Sequence, residues 1–189
     1  MESSPIRFAQ SRGSRIAYQV FGEGPATIVS IPPTAQNIEM AWGWPDVRYM
    51  LERFGSFSRF LHFDKRGTGA SDRRSHMPGI DERVDDLVAV MDDAGIESAH
   101  LFANSEGGPM AILFAATYPD RAESLALWGT GASMVPRNLT EEQRAEQREG
   151  HRRYAAKWGT AESPVVDGFA PSLAANQEFR DWHRRYERR

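Results

Sequence analysis

The sequence predicts an α/β fold, a three-layer arrangement in which a mostly parallel sheet lies between helices. Three observations carry that expectation. Short runs rich in β-branched and aromatic residues alternate with longer runs whose apolar positions recur at helical spacing. The later β-favouring runs are apolar on both faces, as strands covered by helices on each side must be. Gly, Pro, Asn and Asp punctuate nearly every junction between the two kinds of run.

Residues 6–11 and 15–21 favour strands, and Arg12-Gly13-Ser14 between them is a hairpin signal. Gly22 to Pro25 forms a second turn. Residues 27–31 (TIVSI) follow as a continuous β-branched strand that stops at Pro32-Pro33. Residues 45–54 predict a helix with proline at its start. Residues 59–63 (RFLHF) predict a strand running into Asp64-Lys65-Arg66-Gly67-Thr68-Gly69-Ala70-Ser71-Asp72. Val84, Leu87, Val88, Met91 and Ala94 share one helical face, with Asp81 as the expected cap and Gly95 as the stop. A strand over 98–103, a helix over 107–118 and a strand over 124–128 complete the order β-β-β-α-β-α-β-α-β. An antiparallel pair leading into repeated strand–helix units implies helices on both faces of the sheet.

The last third differs. Thr140-Glu141-Glu142-Gln143 is a capping box opening a helix to about Trp158, whose thin apolar content places it on a surface. Residues 163–176 read as loop, and 177–188 as a helix with Phe179, Trp182 and Tyr186 on one side. Two parts are therefore expected, a core over 1–134 and a helical segment over 135–189.

Composition narrows the function. The chain has no cysteine, so disulfides, thiolate catalysis and Cys-based zinc sites are excluded. Its net charge of −3 and scattered Lys and Arg leave no basic stripe for nucleic acid. The N-terminus lacks a basic region followed by an apolar stretch, and Met110 to Tyr118, the longest strongly apolar run, is too short to cross a bilayer. A cytoplasmic protein without membrane contact is expected. The glycine fingerprint of dinucleotide binding is missing, and no cofactor or metal is expected.

The segment that carries chemistry is Ala103-Asn104-Ser105-Glu106-Gly107, a variant of G-x-S-x-G with alanine first. The serine stands between a predicted strand and a predicted helix, the place a nucleophile elbow requires. A sharp turn there lifts the hydroxyl above the sheet, and small residues at 103 and 107 let the backbone close. The alternative is a serine that merely caps helix 107–118.

With that context the chain resembles the α/β-hydrolases. SRIAYQVFGEGP, IPPT, FDKRGTGASD, ANSEGGPMA and FAATYPDRAESLAL occur in that family's order, and are most similar to a bacterial branch often joined to class III nucleotide cyclase domains. The resemblance covers 1–132 and, more loosely, the segment from KWGTAESPVVDGFAPS to HRRYERR as a lid. It implies Ser105 as nucleophile and the backbone N–H of Glu106 as one oxyanion donor. The second donor falls in the loop after the third strand, where Pro33 has no N–H and Thr34 is the candidate. The Glu106 carboxylate is given no catalytic role, and 64–72 is read as a structural turn.

In this family the acid and the histidine follow later strands, after the lid, and the sequence ends inside the lid. His62, His76, His100, His151 and His183 are each read as packing or surface residues rather than the base. Strand 124–128 is expected to form an apolar edge prone to self-association or to pairing with a partner. Two functions remain open. One is a serine hydrolase of a carboxylic ester or similar small acyl compound, weakly active or inactive in the 189-residue piece. The other is a non-catalytic sensing or interaction module on the same fold.

Overall fold

A computed structural model describes residues 3–73, 78–133, 136 and 138–188. The chain divides into two compact units, Met1–Met134 and Val135–Arg189.

The first unit is built on a six-stranded sheet. Its strands are β1 (Arg7–Ser11), β2 (Ser14–Phe21), β3 (Ala26–Ile31), β4 (Ser58–Phe63), β5 (Ala99–Asn104) and β6 (Ala122–Trp128). In space they run β1-β2-β4-β3-β5-β6. The first two pairings, β1 with β2 and β2 with β4, are antiparallel. Those of β3 with β4, β3 with β5 and β5 with β6 are parallel. The mostly parallel sheet read from the sequence is therefore present. The β1–β2 hairpin turns on Arg12 and Gly13, both at positive φ (45° and 72°), which matches the twist of the strands it joins.

Helices α1 (Ile38–Ala41), α2 (Pro45–Gly55), α3 (Ile80–Asp93) and α4 (Gly107–Thr117) connect these strands, with a 3-10 turn at Pro119–Arg121. On one face of the sheet Leu61, Phe63 and Leu101 pack with Leu87 and Met91 of α3 and Phe114 of α4, all buried. On the other face Phe54 of α2 stacks on Phe60 at 4.6 Å and meets Phe102 at 5.4 Å. Gly95 ends α3 as expected: at φ 63° it lets the Ile96 N–H reach Met91 O at 2.8 Å and its own N–H reach Asp92 O at 3.0 Å. The N-cap of α3 is Gly79 rather than Asp81. Glu82 accepts from the Gly79 N–H at 3.1 Å, and the helix begins two residues earlier than a side-chain cap at Asp81 would allow.

The turn over 64–72 is a structural staple, as expected. Asp64 is fully buried and accepts from the N–H groups of Ile38 (3.0 Å) and Ala70 (2.8 Å). Ser71 Oγ donates to Asp64 O at 2.7 Å and accepts from the Ala17 N–H at 2.8 Å. Arg66 is buried against Asp86 of α3, which accepts at 2.6 and 3.1 Å. Only glycine fits at 69, because a Cβ there would stand 2.0 Å from the Asp64 carboxylate.

Strand β6 is a sheet edge, and most of its residues are exposed.

The second unit holds α5 (Glu141–Lys157), α6 (Val165–Phe169) and α7 (Gln177–Arg188). The capping box is formed: Gln143 N–H donates to Thr140 Oγ1 at 3.2 Å and Thr140 N–H donates to Gln143 Oε1 at 2.9 Å. No residue of α5 is buried, in keeping with its thin apolar content. Residues 163–176, read as loop, contain α6 and a 3-10 turn at Pro171–Leu173. Both are about a single turn long, too short for a periodic pattern to reveal. Phe179 and Trp182 of α7 stack at 5.7 Å.

Candidate active site

Strand order reverses between β3 and β5: the chain passes from β3 outward to β4 in one direction, then returns to β5 on the other side. In open α/β sheets a crevice forms at such a switch point, outside the carboxyl ends of the strands. The segments leaving β3 and β5 there are Pro32-Pro33-Thr34 and Ser105-Glu106-Gly107.

Ser105 has φ +50° and is half-buried. Serine adopts this left-handed conformation at a cost, so neighbours must hold it. They do so at both ends. The Ser105 N–H donates to Trp128 O at 3.3 Å, and Thr130 Oγ1 donates to Ser105 O, which also accepts from Gly108 N–H at 3.2 Å. An N-capping serine has extended backbone instead, and the residue that caps α4 is Glu106. The elbow conformation is present and the simple cap is not.

The small residues have identifiable reasons. Ala103 is fully buried in the sheet core. A Cβ on Gly107 would lie 2.7 Å from Ile31 O and 3.0 Å from Pro32 O, and one on Gly108 would lie 2.0 Å from Thr130 Oγ1. The start of α4 thus presses directly on the backbone leaving β3. Thr34, two residues past Pro32, is exposed.

Glu106 is where sequence reasoning stopped short. Its carboxylate is half-buried and accepts from two cations: Lys65 Nζ at 2.9 Å, from the turn after β4, and Arg83, from α3. Burial pushes the Glu106 carboxyl up, but the Lys65 ammonium and the Arg83 guanidinium outweigh it and hold it down at about 2. Burial draws the Lys65 ammonium down while Glu106 opposes that. The detectable signal was an acidic residue beside the serine, and a lone arginine in the otherwise acidic first half of α3.

The histidines are engaged elsewhere. His62 is buried, with Nε2 at 2.8 Å from Gln19 Oε1, on a strand that does not adjoin β5. That Gln19 oxygen also accepts from Trp42 Nε1 at 3.1 Å, so His62 Nε2 carries the hydrogen and donates to it, and Nδ1 has no partner among the described residues. His100 lies near the start of β5 beside Ser124 (3.0 Å) and Glu123 (3.3 Å). His76 lies outside the described residues. In the second unit, His183 and Ser163 both approach Glu187 Oε1, at 3.5 and 2.9 Å. The carboxylate therefore sits between hydroxyl and imidazole, an arrangement that gives the serine no base. Among the described residues no group of three or more His, Asp or Glu is placed to hold a metal, and no helix is long and apolar enough to cross a membrane.

Comparison with known proteins agrees with the fold. Residues 49–184 match the family model described as "Serine aminopeptidase, S33". A 2-hydroxy-6-oxononadienedioate/2-hydroxy-6-oxononatrienedioate hydrolase of Paraburkholderia phymatum is 34% identical over 121 residues, spanning 62% of this chain and 40% of its own. An N-acyl homoserine lactone degrading enzyme superposes with a TM-score of 0.71 at 23% identity, over 95% of this chain and 64% of that one. The meta-cleavage product hydrolase CumD of Pseudomonas fluorescens gives 0.70 at 24%, over 97% and 64%. The chain spans less than two thirds of the length of each.

Proposed function

The chain belongs to the α/β-hydrolase family that the serine aminopeptidase model describes, and we propose that the whole protein is a serine hydrolase of a carboxylic ester or similar small acyl compound. The observation that carries this reading is the left-handed backbone of Ser105 at the β5–α4 turn, at the carboxyl ends of parallel strands. Glu106, not Ser105, holds the N-cap position of α4, and among the described residues no hydrogen bond uses the Ser105 hydroxyl.

In this mechanism Ser105 Oγ attacks the acyl carbonyl, and the proton passes to a general base. The carbonyl oxygen becomes an oxyanion held by the N–H groups of Glu106 and Thr34. No hydrogen bond among the described residues uses either N–H. Collapse of the intermediate expels the alcohol or other leaving group, which takes the proton from the base. Water then hydrolyses the acyl-serine by the same steps. The base and the acid that orients it are assigned to the part of the whole protein outside residues 1–189. The relatives are longer than this chain, and His62 and His100 make their hydrogen bonds elsewhere. The helical unit Val135–Arg189 is assigned to the lid.

A fluorophosphonate probe tests the reading. The whole protein is expected to be labelled at Ser105 and to hydrolyse p-nitrophenyl acetate, and Ser105→Ala to lose both. A wild-type serine that stays unlabelled would favour the second reading, a sensing module with a spectator hydroxyl. The run Pro32-Pro33-Thr34, which fixes φ at Pro33 in the oxyanion loop, is the feature that favours it.

A further inference from the structure

The residue after the nucleophile is a full acid, and its own N–H is the donor assigned to the oxyanion. The carboxylate of Glu106 is only four bonds from that nitrogen, within about 5 Å by ordinary bond lengths. A free negative charge there would oppose the charge that develops on the substrate oxygen, most strongly where water is excluded. The structure supplies two cations against this one carboxylate. Lys65 takes one carboxylate oxygen and Arg83 takes the other. Both cations are substantially buried, with side chains 9% and 19% exposed, so solvent screens the cluster less than it would a surface pair.

We propose that Lys65 and Arg83 are charge-compensating residues that act through Glu106, turning a site that would hold one negative charge beside the oxyanion into one holding net positive charge. The inference rests on Ser105 being the nucleophile. Stoichiometry distinguishes it from simple anchoring. The buried Arg66–Asp86 pair, which joins the 64–72 turn to α3, is one cation to one carboxylate. A second such anchor would also need one cation, yet here there are two, drawn from separate elements, the turn after β4 and α3.

The test is the second-order rate of fluorophosphonate labelling at Ser105, with kcat/KM for p-nitrophenyl acetate, in the whole protein and four variants. Lys65→Met and Arg83→Met are each expected to slow both rates by about tenfold or more. Arg83→Lys, which keeps the charge, is expected to stay close to wild type. The deciding variant is Lys65→Met with Glu106→Gln, which restores the net charge of the wild-type cluster without restoring the ion pair. It is expected to recover most of the loss. Should Lys65→Met fail to fold, Arg83→Met with and without Glu106→Gln gives the same comparison. A labelled wild type whose single variants react at the normal rate, or whose double variant is as slow as the single, overturns the compensation and leaves the nucleophile standing. An unlabelled wild type overturns both.

Discussion

Gly107 stands against Ile31 with no room for a side chain: a Cβ on the glycine would lie 2.7 Å from the Ile31 carbonyl oxygen. That contact ties the elbow after β5 to the exit of β3, the two segments that would supply the oxyanion donors. The atom in the way is backbone, so it cannot swing aside. Gly107→Ala is therefore expected to cost about 1–3 kcal/mol in urea unfolding. It is also expected to slow labelling of Ser105 by more than its effect on stability explains. An unchanged denaturation midpoint would show that the two loops are not in this contact.

Arg66 and Asp86 form an ion pair whose side chains are each 2% exposed, whereas Arg15 and Asp72 form one at 56% and 32%. Removing Asp86 takes away the carboxylate that Arg66 is bonded to, leaving it hydrogen bonds to Ser11 and Ser14 among the described residues and only the longer-range attraction of Glu82 and Asp85. Asp86→Ala is expected to destabilise the first unit by about 3–5 kcal/mol. Arg15→Ala is expected to cost no more than about 1 kcal/mol, because water screens that pair. Chemical denaturation of both variants at low and high salt checks the contrast, with salt affecting only the exposed pair.

The strands and the longer helices were legible because each carries a local signal, such as the β-branched run of β3 or the apolar stripe of α3. So was the elbow, whose serine lies at a strand–helix junction and has small neighbours. What was not legible depends on chain segments meeting from a distance. The Lys65–Glu106 and Arg83–Glu106 bonds join residues 41 and 23 positions apart, and only the strand order brings them together. Helix α6 was hidden for a different reason, being a single turn of five residues that no periodicity can mark. The cap of α3 lies two residues before the expected Asp81 because glycine offers no side-chain signal, and the aspartate does.

His62 makes stability depend on pH with a definite sign. Burial lowers its pKa from 6.5 to about 3, so between those values the unfolded chain binds a proton that the native one refuses. Its contribution to stability is complete above pH 6.5 and falls as the pH drops toward 3, by up to about 1.4 kcal/mol per pH unit. Asp64 works in the opposite sense, since burial raises its pKa from 3.8 to about 7 and its contribution declines as pH rises through that window. The wild-type curve alone is thus a sum. The difference between wild type and His62→Phe isolates the histidine, and thermal melts from pH 7 to pH 4 are expected to show a shallower acid-side loss in the variant. Parallel curves would mean that the imidazole is solvated.

Strand β6 offers the outer side of its backbone to solvent, and its side chains are exposed on both faces. Leu125 and Leu127, in register with Leu101 and Ala103, lie on the α4 side at 38% and 42% exposure. Trp128, opposite Asn104, lies on the other side at 68%. From Ser124 onward the strand has no charge, and charge is the usual means of discouraging another strand from pairing. The 189-residue chain is therefore expected to associate as its concentration rises, measured by sedimentation velocity or by light scattering on a sizing column. Leu127→Lys places a charge on the exposed face without touching the inner hydrogen bonds to β5, and is expected to shift the population toward monomer. A wild-type chain that stays monomeric at every concentration would mean that β6 does not act as a pairing edge.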